Sequence, residues 1–318
     1  MKRLIASTTL IAVTLAVSLP ALAAEPVPLV PADASFRVTL NPSKLIQSRL
    51  GQTILDRVRQ EQPNVDTMID ELSETVGIDL RTALGQTTFY GTGYARGDFA
   101  LVSDIGPTSG NINGLLLTAP GYESSVYREK VIVHSLPAEN PSGPPDRVYC
   151  AMPKNPRTGT FYLVASFNPK RTQDMIDQTL DNSVKLTADD PAPGTLIDAW
   201  FSGLPELARV ANADGPPSAI ANLVQRAHLL LKDQDDSVAG DLTLTMSDAV
   251  RAQQVFELLR GGLAMMQLVA TAEPQAQPLA ELGDLFDVQH DPNNTDVTAR
   301  FNCSYDRLDQ LLKTLHDM

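Results

Sequence analysis

The sequence predicts an α+β protein: two related halves of largely antiparallel sheet packed with amphipathic helices. Three observations carry that expectation. A strand ending on an apolar residue runs straight into a helix cap at four places. Extended segments crowd together between the first two of these places without long helices between them, which favours antiparallel over doubly wound parallel sheet. A polar, Pro-rich seam then separates two such units from the other two.

The first unit is Phe36-Arg37-Val38-Thr39-Leu40, an alternating strand, followed by Asn41-Pro42. Asn accepts hydrogen bonds from free helix amides, and Pro suits the first helical position. Ile46, Leu50, Ile54 and Val58 then fall four apart, predicting one continuous helix with one apolar stripe. A second helix is expected from Val65 to Val76, through Met68, Ile69 and Leu72, with Gly77 as its stop. Extended segments follow at 87–91, 99–105, 130–136 and 148–152, with a short helix near 113–118. Phe161 to Phe167 is the second strand of the recurring unit. Asn168-Pro169 caps its helix, marked by Met175, Ile176 and Leu180.

The seam spans 187–195. It gives the expected organisation: 1–23 a signal peptide, 24–186 a first α+β half, 187–195 a linker or long loop, 196–318 a second α+β half. In that second half Leu242 to Met246 precedes Ser247-Asp248 and a helix marked by Ala252, Phe256, Leu259, Leu263 and Met266. Val297 to Cys303 precedes Ser304 and a helix marked by Tyr305, Leu308, Leu312 and Leu315. The strand-end residues Leu40, Phe167, Met246 and Cys303 are all expected to be buried. Stretches 139–146, 213–217 and 273–278 read as loops.

The N-terminus has a three-part export layout. Met1-Lys2-Arg3 is positive, Leu4 to Leu19 is apolar, and Pro20-Ala21-Leu22-Ala23 offers small residues for cleavage after Ala23. The expected compartment is the periplasm or the exterior. No Cys follows that site, so no lipid anchor is expected. Loss of Lys2 and Arg3 moves the formal net charge from −13 to −15. Such acidity argues against nucleic-acid and anionic-membrane binding. Leu263 to Ala272, preceded by Arg260, is the longest later apolar run and is too short to span a bilayer, so no membrane span is expected in the mature chain. With 43% hydrophobic residues and only two cysteines, the fold rests on its core. Cys150 and Cys303 belong to different halves. Two buried free thiols are the expectation, and a disulfide the alternative.

Val76-Gly77-Ile78-Asp79-Leu80-Arg81, then Leu84-Gly85 and Thr87-Thr88-Phe89-Tyr90-Gly91, resembles a block that recurs in uncharacterised exported bacterial proteins with repeated strand–helix units. Val30-Pro31-Ala32-Asp33-Ala34 and Pro120-Gly121-Tyr122-Glu123 resemble other parts of them. The resemblance implies no assigned activity and transfers no functional residue.

Motif by motif, chemistry is not encoded locally. Gly91-Thr92-Gly93 lacks the third glycine and the helix of a dinucleotide fingerprint, so it reads as a turn between strands. Asp233-Gln234-Asp235-Asp236-Ser237 has Val238 and Leu244 where a calcium loop needs Gly and Glu, so it reads as a hairpin turn. His134, His228, His290 and His316 have no zinc-site spacing, and His134 reads as a strand-end residue beside Ser135. Asp98 and Asp104 are too far apart along one strand to flank a glycosidic bond. Asp70, Glu71 and Glu74 read as a solvated helix face.

No catalytic, cofactor-binding or metal-binding residue is assigned, and no cofactor is expected. The expected function is that of an exported, non-catalytic binding or scaffolding protein. Its partner is not named by the sequence, and an envelope protein or polymer is the class that fits. The alternative is an exported hydrolase whose residues converge only in the fold. An exposed apolar patch or free sheet edge favours the first, and a pocket holding a perturbed His or carboxylate favours the second.

Overall fold

The computed structural model describes residues 31, 34–77, 79, 81–107, 112–138, 146–181, 194–210, 220–234, 236–272, 280–281 and 283–316. The expected signal peptide, most of the seam at 187–195, and the loops 213–217 and 273–278 lie outside them, as does the expected loop 139–146 except Asp146, which opens a strand. The chain divides into two compact units, Met1–Pro191 and Ala192–Met318. Strands and helices of both kinds fill each, with antiparallel pairing throughout the strand pairs described, so the α+β expectation holds.

In the first unit the strands are β1 (Phe36–Leu40), β2 (Thr87–Gly91), β3 (Phe99–Asp104), β4 (Glu123–Tyr127), β5 (Val131–Ala138), β6 (Asp146–Ala151) and β7 (Tyr162–Ser166). They lie side by side as β1-β2-β3-β7-β6-β5-β4. Helices α1 (Pro42–Gln47), α2 (Arg49–Glu61), α3 (Val65–Val76), α4 (Ile112–Leu117) and α5 (Pro169–Leu180) complete the unit. Strand alternation sends neighbouring side chains to opposite faces, so this sheet has two cores. Tyr162 and Val164 pack with Val102, Ala151, Met175 and Ile176 on the α5 face. Phe161 and Leu163 pack with Leu84, Ile105 and Met152 on the other face, where Ile112 and Leu116 of α4 also lie.

The second unit holds β8 (Thr195–Ser202), β9 (Val224–Gln234), β10 (Ser237–Met246), β11 (Phe286–His290) and β12 (Asp296–Ser304), in the order β8-β9-β10-β12-β11. Its helices are α6 (Leu204–Val210), α7 (Ala249–Ala272) and α8 (Tyr305–His316). The core joins Val224, Leu244, Met246 and Val297 of the sheet to Ala252 and Val255 of α7. The motif at 233–237 is the turn of the β9–β10 hairpin, with Ser237 opposite Gln234.

All four recurring strands run directly into helices. Asn41 Oδ1 accepts from Lys44 N at 3.0 Å, and Asn168 Oδ1 from Lys170 N at 3.0 Å. At α7 the backbone cap is Asp248 rather than Ser247: its carboxylate accepts from Arg251 N at 2.9 Å. Burial divides the four strand ends. Met246 is 2% exposed and Cys303 2%, but Leu40 and Phe167 are only half-buried. In β1 and β7 the buried parity falls on Thr39 and on Tyr162, Val164 and Ser166, one position out of step with the expectation. Both faces of the first unit's sheet carry apolar residues, so alternation there did not reveal which face is the deeper one.

The expected single helix after Asn41 is two. Ser48 is extended (φ −67°, ψ 155°), ends α1 and caps α2 through Oγ, which accepts from Gly51 N at 2.9 Å. The chain turns so tightly that a Cβ on Gly51 would lie 1.7 Å from Leu45 O. A stripe spaced by four cannot register such a break, because both helices keep the same spacing. The stripe is also not a core face, since Ile54 is 48% exposed.

Candidate binding surface

The histidines are where catalysis would show. His134 lies within β5, not at its end, and is 1% exposed. Its Nε2 meets Asn113 Oδ1 at 2.8 Å and its Nδ1 meets the Tyr122 hydroxyl at 2.9 Å. An amide oxygen only accepts, so Nε2 carries the proton and Tyr122 donates to Nδ1. Burial holds the imidazole pKa below its ordinary value, which keeps this neutral tautomer. Ser135 is occupied elsewhere: its hydroxyl accepts from Arg147 Nε at 2.6 Å. His134 is therefore a satisfied structural group that ties β5 to α4 and to the β4 approach.

His228 Nε2 lies 2.8 Å from Asp198 Oδ1 on adjacent strands, with the imidazole 41% exposed. His290 Nδ1 donates to Asp296 O at 3.0 Å. The His316 side chain lies outside the described residues. Among the described residues, no group of three or more His, Cys, Asp or Glu could hold a metal.

The other weighed motifs settle similarly. Gly91 ends β2, and residues 92–98 bend into β3 without a helix of useful length. The Thr92 hydroxyl accepts from Arg171 at 2.7 Å, and Asp98 O accepts from the same guanidinium, so this turn is a clasp for α5. Asp104 holds Gly106 N at 2.7 Å, at the opposite end of β3 from Asp98. Asp70, Glu71 and Glu74 are exposed on α3, and Asp70 pairs with Arg81. Asp233 of the hairpin accepts from the Tyr305 hydroxyl.

One cavity of about 410 Å³ lies in the second unit, lined in part by Lys232, Asp241, Arg300 and Arg307. Asp241 sits between Lys232 and Arg300, at 3.4 Å from each, so its charges are mutually satisfied. Among the described residues that line it there is no histidine.

The feature that burial leaves unexplained is α7. Its first half belongs to the core through Ala252 and Val255, and Asp248 caps it. Beyond Arg260 no charged residue occurs up to Ala272. Yet Leu258 is 50% exposed, Met265 58%, Leu268 62% and Met266 42%. The helix is long and apolar enough to cross a membrane by length and composition, and only 11% of its most apolar eighteen-residue stretch is buried. This revises the sequence reading, which began the apolar run at Leu263. Arg260 does not interrupt the helix: its guanidinium lies over the Phe256 ring, 5.4 Å from the centroid, while the helix continues through it. Contiguous exposed apolar surface of this kind marks interaction sites in folded proteins.

No protein-family model matches the chain, and no curated protein is similar to it. Three crystal forms of TP0453, a Treponema protein, are similar in structure. Form III aligns with TM-score 0.48 at 11% identity, over 92% of this chain and 99% of that one. Form IV gives 0.49 at 10% identity over 91% and 96%. Form I gives 0.45 at 11% over 92% and 98%. No residue, ligand or role is carried from them to this chain.

Proposed function

We propose that this chain is an exported, non-catalytic binding protein of the cell envelope, and that it binds through the outer face of α7. The observation that carries the reading is the exposure of that face: a long helix that packs on its own unit through Ala252, Val255 and Ala270 while Leu258, Met265, Met266 and Leu268 on its other side are turned to solvent. Export rests on the residue layout of 1–23, and the acidic remainder suits a protein kept soluble in an exterior compartment. Among the described residues, His134 is spent on two structural hydrogen bonds, and the His228–Asp198 pair does not line the cavity of the second unit.

Two measurements test this. N-terminal sequencing of the protein from an envelope fraction is expected to begin at Ala24; a cytosolic protein beginning at Met1 refutes the compartment. A photo-crosslinking amino acid at position 258 or 268, activated in intact cells, is expected to give an adduct of discrete mass. The same group at Glu61, on the exposed side of α2, is expected to give none. Absence of an adduct from both α7 positions refutes the docking face.

A further inference from the structure

We infer that the occupant of this face is a second copy of the chain, docked as an antiparallel helix pair about a two-fold axis. The inference rests on the reading of α7 as a docking face. Four features of α7 carry it.

The first is spacing. Leu258, Gly261, Met265, Leu268 and Ala272 recur at intervals of three and four, the seam of a two-helix coiled coil. Phe256, Leu263 and Ala270, the positions diametrically opposite that seam, point toward the chain's own body, and none of them is exposed. A helix with its f positions in its own core presents its a and d positions outward, where only another molecule can cover them.

The second is the Gly261-Gly262 pair. Glycine within a helix costs about 1 kcal/mol relative to alanine. Here a Cβ at either position would meet nothing within 4 Å, and neither residue adopts a left-handed conformation. The chain itself gives these glycines no purpose. A second backbone approaching closely does.

The third is size complementarity under the two-fold. With the axis passing beside Leu263, Leu258 faces the partner subunit's Leu268, and Gly261 faces the partner subunit's Met265. Gln254 then meets the partner subunit's Ala272. In two of these three pairs a small residue stands opposite a large one, and the pattern is its own complement, as an isologous interface requires.

The fourth is charge. A chain of net charge −13 repels its copies, so self-association favours a contact poor in carboxylates. Across the paired span 254–272 the one carboxylate is Glu257, set against the partner subunit's Val269, and the seam from Leu258 onward and its flanks Gly262, Ala264, Val269 and Thr271 have none.

The contact is modest. A strip ~28 Å long over half the circumference of a ~10 Å cylinder covers roughly 450 Å² per copy. That is about half of the ~800 Å² per partner in a standard interface. The dimer is therefore weak, with a Kd on the order of 10–100 µM.

Sedimentation equilibrium of the full chain as isolated from cells is expected to show monomer passing to dimer over that concentration range. Leu268→Glu, at a position 62% exposed, is expected to weaken dimerisation at least tenfold with an unchanged thermal midpoint. Gly261→Ala with Gly262→Ala separates this from a folding effect: the double variant is expected to raise the thermal midpoint while weakening the dimer. Under air oxidation, Ala264→Cys is expected to cross-link to itself across the axis and Leu258→Cys is not; the reverse result overturns the antiparallel register. A chain that stays monomeric at every concentration overturns the inference, and so does a monomer that floats with phosphatidylcholine vesicles. An in-cell adduct at 268 of any mass other than a dimer also overturns it while leaving the docking face standing. No adduct at all removes both.

Discussion

His134 shows how a single buried titratable group sets a pH dependence. Its folded-state pKa is held below the ordinary 6.5 by burial, so below that pH the unfolded chain binds the proton that the folded chain refuses. The stabilising effect of a neutral His134 is complete above pH 6.5 and declines as pH falls beneath it. Asp104, whose carboxyl is raised by burial, has the opposite sign and acts nearer its own ordinary value of 3.8. The difference between the wild type and His134→Asn isolates the imidazole: urea midpoints of the two are expected to converge between pH 7.5 and 5. Tyr122→Phe strands Nδ1 in the interior as an acceptor without its donor and is expected to cost about 1–3 kcal/mol. A Tyr122→Phe variant as stable as wild type contradicts the assigned tautomer. Cys150 is the other buried ionisable side chain of interest, its thiol pushed up to about 12 by desolvation. Cys303 is raised for the same reason. Both are free thiols, so the native protein is expected to react negligibly with a disulfide reagent at pH 8 and the denatured, unreduced protein to release two equivalents.

At the scale of elements, close approaches are carried by particular glycines. Gly240 of β10 lies opposite Phe301 of β12, and a Cβ there would come 2.0 Å from Phe301 Cε1. The ring itself packs on Phe286, with centroids 5.7 Å apart. Gly240→Ala is therefore expected to cost about 1–3 kcal/mol by forcing the ring aside. In a Phe301→Leu background the same change is expected to cost less, and equal costs would show that the ring is not the obstacle. Gly51 differs in kind, since the obstruction is the backbone oxygen of Leu45. No side chain can yield there, so Gly51→Ala is expected to disrupt the α1–α2 turn, seen as lost helicity by circular dichroism. Arg171 holds a comparable place at the start of α5, where one guanidinium closes the β2–β3 turn.

Across the whole molecule, each unit carries its own core, and large-to-small changes should report that. Ile176, fully buried between α5 and the first sheet, is expected to cost about 2–5 kcal/mol on truncation to Ala. Hydrogen exchange should localise the loss to β7 and β6, whereas Val255→Ala should act on β10 and β12. Equal loosening of both sets by either variant would show one cooperative unit instead of two. Relatedness between the halves stays a proposal, carried by the recurrence of strand, cap and helix at four junctions.

The legible part of this protein is whatever a few neighbouring residues decide among themselves. Alternation in Val297–Cys303, Asn before Pro at 41–42 and 168–169, and Gly77 in the left-handed conformation at the end of α3 are local energetics, and the structure has each of them. Strands such as β8 and β11 were not anticipated, because their mixed polar and apolar residues gain a sheet only from neighbours far along the chain. The same limit hid the candidate site. The helix that became α7 was expected from its spacing, with its stripe assigned to a core. Which side of it meets the core is set by where β11 and β12 pack, and those contacts are absent from the local sequence. The order of the residues determined that α7 would be a helix, apolar and uncharged beyond Arg260. Only the tertiary structure decided that its apolar surface exceeds what the core can cover, because burial is a property of packed elements and not of a segment alone.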